Sequence, residues 1–301
     1  MISKFILGID VGGSFIKAGI IQTCGKEKAE IIHLQEIQTP VAVMETQQTL
    51  HRLAAEILAV AKEKNLTIDG IGVGCPGPLD LKEGKTLNTP NIPQQMRVLD
   101  PLRPFHLPLK LENDANCFGL AEARFGKGRD VKILVGITLG TGFGSCLVIN
   151  KQLYVGRGNA TELGHTTISF TEYTKQEPQK GTVEHYISKA AQVRYAEQQG
   201  LHVSDPEELH HLAEKGNKMQ QARNAFAVYG KYLGITLANA INIFDPEMII
   251  LGGKCTCSFP FFERAMHEEI KKRAVIEGVP VLTSDLKDAG VIGAAALFFL
   301  G

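Results

Sequence analysis

Phe5-Ile6-Leu7-Gly8-Ile9-Asp10-Val11-Gly12-Gly13-Ser14-Phe15-Ile16-Lys17-Ala18-Gly19-Ile20-Ile21-Gln22 opens the chain on a plan that returns at residues 131–149. There Val131 to Thr138, then Leu139-Gly140-Thr141-Gly142-Phe143-Gly144, then Ser145 to Ile149 again give strand, glycine turn, strand. Two β-forming runs joined by a glycine turn read as a hairpin. Such a turn also lets backbone N–H groups approach a phosphate without Cβ interference. One turn alone fits a plain hairpin; two on one chain fit a pair that clamps a polyphosphate from two sides. Asp10 ends the first run, where a carboxylate beside a phosphate cradle suits Mg²⁺ held through water. The repeat predicts a duplicated core and nucleotide-driven phosphoryl transfer.

Between the hairpins, Leu107 to Leu111 reads as a short buried strand, followed by Glu112-Asn113-Asp114-Ala115-Asn116 and a helical segment from Cys117 to Phe125. Asn113 and Asp114 therefore fall at the carboxyl end of a strand, where open α/β folds place ligands. A carboxylate there can take a proton from a substrate hydroxyl while the neighbouring amide holds the same substrate. Asp114 equally fits a cap on the following helix. Ala29 to Gln38 reads as a strand, Leu50, Leu53, Ala54, Ile57, Leu58 and Ala61 as one face of a helix, and Ile68 to Gly74 as another strand. A dinucleotide fold would alternate strand and helix from the start. Gly72-Val73-Gly74-Cys75-Pro76-Gly77 matches G-x-G-x-x-G, but Pro76 and Pro78 leave no room for the helix that motif must open. Gly74 to Asp80 is read as a turn-rich loop.

Prolines flank Asn91 in Thr89-Pro90-Asn91-Ile92-Pro93, and its amide suits a ligand or the loop backbone. Glu162-Leu163-Gly164-His165 sets a carboxylate and an imidazole three apart around a glycine, able to face one small ligand. Gly181-Thr182-Val183-Glu184 opens a helix, with Glu184 where it also suits the helix dipole. Helical spacing runs through 184–197, 206–215 and 219–241, and a strand from Glu247 to Leu251 ends in Gly252-Gly253. A helix (261–274), a strand (279–282) and a small-residue helix from Ala289 to Leu297 follow.

The charges balance, with 32 Lys plus Arg against 32 Asp plus Glu, which gives no reason to expect a nucleic-acid or membrane partner. The N-terminus lacks a signal-like core, and no apolar run approaches about 18 residues. The expected setting is cytoplasmic, with the six scattered cysteines reduced. Cys255-Thr256-Cys257 has no partner pair at zinc-like spacing.

Taken together, Asp10 to Ser14, Gly74 to Pro78, Thr89 to Pro93, Glu112 to Asn116, Leu139 to Gly142, Glu162 to His165, Leu251 to Gly253 and Gly293 to Ala295 resemble the ROK family of sugar kinases, nearest its bacterial glucokinases. The resemblance spans essentially the whole chain. It implies the α/β actin-like ATPase (ribonuclease H-like) fold, with two α/β domains and a cleft between them. The expected division is 1–115 plus the helix 289–301 as a small domain, and 116–288 as a large one. It implies ATP and Mg²⁺ as cofactors, a small sugar as substrate and a homodimer. Asp114 is implied as the base on the sugar 6-hydroxyl, with Asn91, Asn113, Asp114, Glu162, His165 and Glu184 holding sugar hydroxyls. Gly12, Gly13, Ser14, Gly140, Thr141 and Gly142 match the phosphate hairpins, and Gly252 and Gly253 the adenosine side.

One departure stands out. Most family members carry C-x-C-G-x-x-G-C-x-E here, and its three cysteines plus the histidine hold a structural zinc. The corresponding positions are Lys175, Glu177 and Thr182, so no zinc of that kind is expected. Polyphosphate-using glucokinases share that lack and offer a second donor; fructose and N-acetylhexosamine kinases offer other sugars. A non-catalytic sugar sensor is a third reading, but the family's repressors carry an N-terminal helix-turn-helix, and the first hairpin here begins too early to leave room for one.

Overall fold

The computed structural model describes residues 3–24, 28–87, 92, 95–170, 172, 176, 177 and 179–299. The elements run β1 (Lys4–Val11), β2 (Phe15–Cys24), β3 (Lys28–Gln38), α1 (Val43–Glu63), β4 (Ile68–Cys75), β5 (Leu79–Asp80), β6 (Lys85–Thr86), β7 (Leu109–Asn113) and α2 (Asp114–Phe125). They continue with β8 (Ile133–Leu139), β9 (Phe143–Ile149), β10 (Gln152–Leu153), α3 (Val183–Tyr186), α4 (Lys189–Gln198), α5 (Pro206–Glu214), α6 (Met219–Phe244), β11 (Met248–Gly252), α7 (Phe259–Arg273), β12 (Val281–Thr283) and α8 (Ala289–Ala296).

Two five-stranded sheets share one order: β3-β2-β1-β4-β7 and β10-β9-β8-β11-β12. Each has a hairpin at its centre and parallel strands beyond, as the repeated sequence plan implies. The chain forms two compact units: Met1–Gly136 with Cys146–Thr161 and Ser284–Gly301, and Ile137–Ser145 with Glu162–Thr283. These boundaries differ from the division expected at 115/116, which falls inside α2. The helix stays with the first unit because it packs on α8 and β4.

In the first unit the central strands are covered on both faces. Leu7, Ile9, Val11, Ile16, Ala18 and Ile20 meet Leu50, Leu53, Ala54 and Ile57 of α1. Ile6 and Ile21 point the other way, onto Val291, Ile292 and Ala295 of α8 and Ala121 of α2. Burying each such aliphatic side chain stabilises the fold by about 1.5–3 kcal/mol. The small residues of α8 allow close contact. A Cβ on Gly72 would lie 1.9 Å from the Ala294 carbonyl oxygen, and one on Gly293 would lie 1.8 Å from that of Cys117. Gly72 and Gly74 of the apparent dinucleotide motif therefore serve packing: a Cβ on Gly74 would meet the Cys117 side chain.

In the second unit α6 packs on α7, with Tyr229 and Phe262 rings 5.3 Å apart. Asp245 ends α6 in a left-handed conformation (φ 46°), and Pro246 follows. The helix expected over 184–197 is two helices. Its ladder breaks at Ile187, and the Ser188 side chain caps α4 by accepting the Ala191 N–H. The Tyr195 hydroxyl and the Arg194 guanidinium then donate to the carbonyls of Tyr186 and His185 across that break.

Candidate functional site

The parallel register of β1, β4 and β7 brings three strand ends together. Asp10 pairs with Gly74, Gly74 with Glu112, and Cys75 with Asn113. The chain turns directly from β7 into α2, and the cap is Asn113, not Asp114. The Asn113 side-chain oxygen accepts the N–H groups of Ala115 and Asn116 at 2.9 and 3.2 Å. Asp114 is the first helical residue, and the helix begins three residues before the expected Cys117. This leaves the Asn113 Nδ2 donor for a ligand and the Asp114 carboxylate for chemistry.

Glu112, which sequence reasoning passed over, fixes this corner. Its buried Oε1 accepts the Asn113 N–H at 2.8 Å and the Asn116 side-chain amide at 2.9 Å. Burial raises the Glu112 carboxyl above its usual range, and does the same to Asp114, against the stabilising Ala115 N–H.

Asp10 and Asp114 are close enough to feel each other. Burial first, and the Asp114 charge second, push the Asp10 carboxyl up to about 7, against the pull of Lys17. Lys17 stands opposite Asp10 in the β1–β2 register, and its ammonium sits 2.6 Å from Asp288 and 3.1 Å from Glu36. Asp288 lies 271 residues away, so no local pattern reveals the pair. Mg²⁺ takes hard oxygen donors, keeps several waters and needs only one or two protein carboxylates beside phosphate oxygens. Asp10 fits that demand, because a cation beside it offsets the burial that disfavours its ionised form. Among the described residues no cluster of three or more His, Cys, Asp or Glu side chains forms a metal cage.

A stability test follows from Asp10. In the ligand-free protein its ionised form is the costly one, so stability present below about pH 4 is lost as pH rises through about 7. Asp10→Asn removes that loss. The variant is expected to be about 4 kcal/mol more stable than wild type at pH 8 and no more stable near pH 4. Urea unfolding at both pH values reads this directly; equal stability at pH 8 would place Asp10 in a well-solvated environment.

The first glycine turn exposes Gly13 and Ser14, with the Ser14 carbonyl accepting the Thr39 N–H at 3.0 Å. In the second unit the other turn exposes Thr141, and the Gly140 N–H closes onto Gly142 O at 3.1 Å. Glu184 does more than face a helix dipole. Its carboxylate accepts the Phe143 N–H at 2.9 Å and fills the space above Gly142, where a Cβ would be 2.3 Å from it. Glu162 and His165 do face one another, with 3.9 Å between carboxylate and imidazole, and both remain partly exposed. Gly252 ends β11, and Gly253 continues with φ 88°. Asn91 lies outside the described residues.

Of the positions matched to zinc cysteines, Lys175 also lies outside the described residues. Glu177 pairs with Lys180 at 2.8 Å, and Thr182 caps α3 while donating to Gln179 O. The segment is fastened by backbone: Thr167 bridges Thr182, and the Ile168 and Ser169 N–H groups both reach Gly181 O. His185 stands 3.4 Å from Glu172, and Tyr186 stacks on Tyr232 at 4.2 Å.

Known proteins share this architecture. The chain is 29% identical to a glucokinase from Pyrobaculum calidifontis, over 97% of this chain and 94% of the relative. It is also 29% identical to a xylose repressor from Caldicellulosiruptor bescii, over 95% of this chain and 76% of that protein. The crystal structure of a ROK family glucokinase from Streptomyces griseus in complex with glucose and AMPPNP superposes with a TM-score of 0.81 at 26% identity, covering 97% of this chain and 98% of that one. The fold class read from the sequence is thereby shown to be that of the ROK kinases, the actin-like ATPase fold. The family model described as ROK matches residues 6–299, and the chain belongs to the ROK family.

Proposed function

We propose that this protein is an ATP-dependent hexose kinase that phosphorylates the 6-hydroxyl of glucose or a close relative. The observation that carries the proposal is the corner at the ends of β1, β4 and β7. There a half-buried carboxylate (Asp114) opens a helix beside an amide (Asn113) whose Nδ2 donor has no partner among the described residues, and Asp10 stands next to a glycine turn. Phosphoryl transfer asks the protein for positioning and charge neutralisation more than covalent chemistry.

In this reading Asp114 accepts the hydroxyl proton, while Asn91, Asn113, Glu162, His165 and Glu184 hold the sugar's other hydroxyls. Gly12, Gly13, Ser14, Gly140, Thr141 and Gly142 offer backbone N–H groups to phosphates, Gly252 and Gly253 take the adenosine side, and Asp10 holds Mg²⁺ through water. Mg²⁺, when bound, neutralises phosphate charge. Glu184 links sugar and phosphate ends, because the carboxylate assigned to the sugar also fixes Phe143 at the end of the second turn. The balanced charge and the absence of any long apolar helix among the described residues fit a cytoplasmic enzyme, and a homodimer is part of the proposal.

A coupled assay with ATP and Mg²⁺ over glucose, mannose, fructose and N-acetylated amino sugars tests this. Glucose with ATP is expected to turn over fastest. Turnover with polyphosphate alone would change the donor. Sugar binding without turnover under either donor would favour a sensor, the reading that likeness to a xylose repressor keeps open.

A further inference from the structure

The two glycine turns are fastened from inside in the same way. The Gly12 carbonyl accepts the hydroxyl of Thr39 at 2.6 Å, one residue beyond β3. The Gly140 carbonyl accepts the N–H of Lys189, the first residue of α4, at 3.1 Å and the thiol of Cys255 at 3.9 Å. Gly253 brings Cys255 there: with φ 88° it lies so close to β8 that a Cβ would be 2.3 Å from Leu139 O. Cys255 is buried, with Gln192 and Tyr229 beside it. Burial pushes its thiol up to about 11, so at neutral pH it is a neutral S–H donor.

In a trans peptide the carbonyl oxygen and the following N–H point in opposite directions. A carbonyl tied inward therefore turns the next N–H outward. The following residues are Gly13 and Thr141, both exposed. We propose that Thr39 and Cys255 are positioning residues which, by holding the Gly12 and Gly140 carbonyls inward, aim the Gly13 and Thr141 N–H groups at the nucleotide phosphates. This rests on the kinase reading above. It adds that each half of the duplicated core carries its own side-chain fastener, a hydroxyl in one and a thiol in the other.

The test is calorimetric binding of magnesium AMPPNP, with glucose as reference ligand and thermal unfolding as a check on the fold. Thr39→Val is expected to weaken AMPPNP binding about fivefold to tenfold, the worth of one hydrogen bond. Cys255→Ala is expected to weaken it about twofold to fourfold, because a thiol donates weakly and the Lys189 N–H remains. Thr39→Ser and Cys255→Ser keep a donor and are expected to bind AMPPNP like wild type, and glucose affinity is expected to hold in all four. Variants that bind AMPPNP like wild type without the donor would overturn the inference and leave the kinase reading standing. Loss of AMPPNP and glucose binding together, or failure of the serine variants to rescue, would also overturn it by reducing both residues to general packing. A wild type that binds no AMPPNP would overturn the kinase reading and this inference with it.

Discussion

Asp114→Asn is expected to lower kcat by about 10²–10⁴-fold, the usual contribution of a general base, while sugar and nucleotide affinities stay within a few-fold of wild type. The fold should tolerate the change. Asn113, not Asp114, caps α2, and the Asp114 Oδ1 that accepts the Ala115 N–H at 2.9 Å has a counterpart in Asn. What Asn cannot do is accept the hydroxyl proton. The wild-type pH profile carries the same signature. Burial raises the Asp114 carboxyl, and only its ionised form acts as base. The acid limb of kcat/KM is therefore expected above the range of an exposed aspartate. Steady-state kinetics with the best sugar, paired with calorimetric sugar binding, decides the matter; a variant with more than about a tenth of wild-type turnover removes Asp114 from the mechanism.

Gly293→Ala is expected to be the most damaging small substitution in the first unit, costing about 3 kcal/mol or more. Its Cβ would lie 1.8 Å from the Cys117 carbonyl oxygen and 2.3 Å from the carbonyl carbon, and neither can rotate away as a side chain could. To make room, α8 and α2 must separate, and α2 carries Asp114 at its N-terminus. Turnover is expected to fall with stability, since a shift of about 1 Å at a catalytic group costs up to about 10²-fold. Urea unfolding and kcat measured on one preparation test both effects. A folded variant of wild-type stability would mean that the contact between the two helices yields freely.

The sheets and the duplicated core were legible because a buried strand leaves a strong local imprint. Ile6, Leu7, Ile9, Ile16 and Ile20 announce β1 and β2, and the same imprint recurs at β8 and β9. Element ends were less legible. Asn113 and Asp114 are both good caps, and only the backbone path into α2 shows which one takes the role. The break between α3 and α4 rests on the Ser188 cap and on Arg194 and Tyr195 reaching back across it. Apolar periodicity carries neither signal. The pair Lys17–Asp288 and the fasteners Thr39 and Cys255 were illegible for another reason. Each depends on register or on residues far along the chain, so a local window sees an ordinary lysine, threonine or cysteine. The glycines at 72 and 74 were read correctly as no dinucleotide site, but their use in packing waited for α8, which meets Gly72, and α2, which meets Gly74.

The place of α8 has a consequence for biosynthesis. Ile6 and Ile21 are covered on one face by Val291, Ile292 and Ala295, which are made long after them. Residues 137–145 and 162–283 form the other unit and are translated before that cover exists. The nascent first unit thus waits, one face without its α8 cover, while most of the second emerges from the ribosome. Chain that must meet across such a sequence distance bears a large closure entropy and a long exposure to mispairing. A ribosome stalled before residue 284 is added would display a sheet face that lacks its α8 cover, a ready target for chaperones and for degradation.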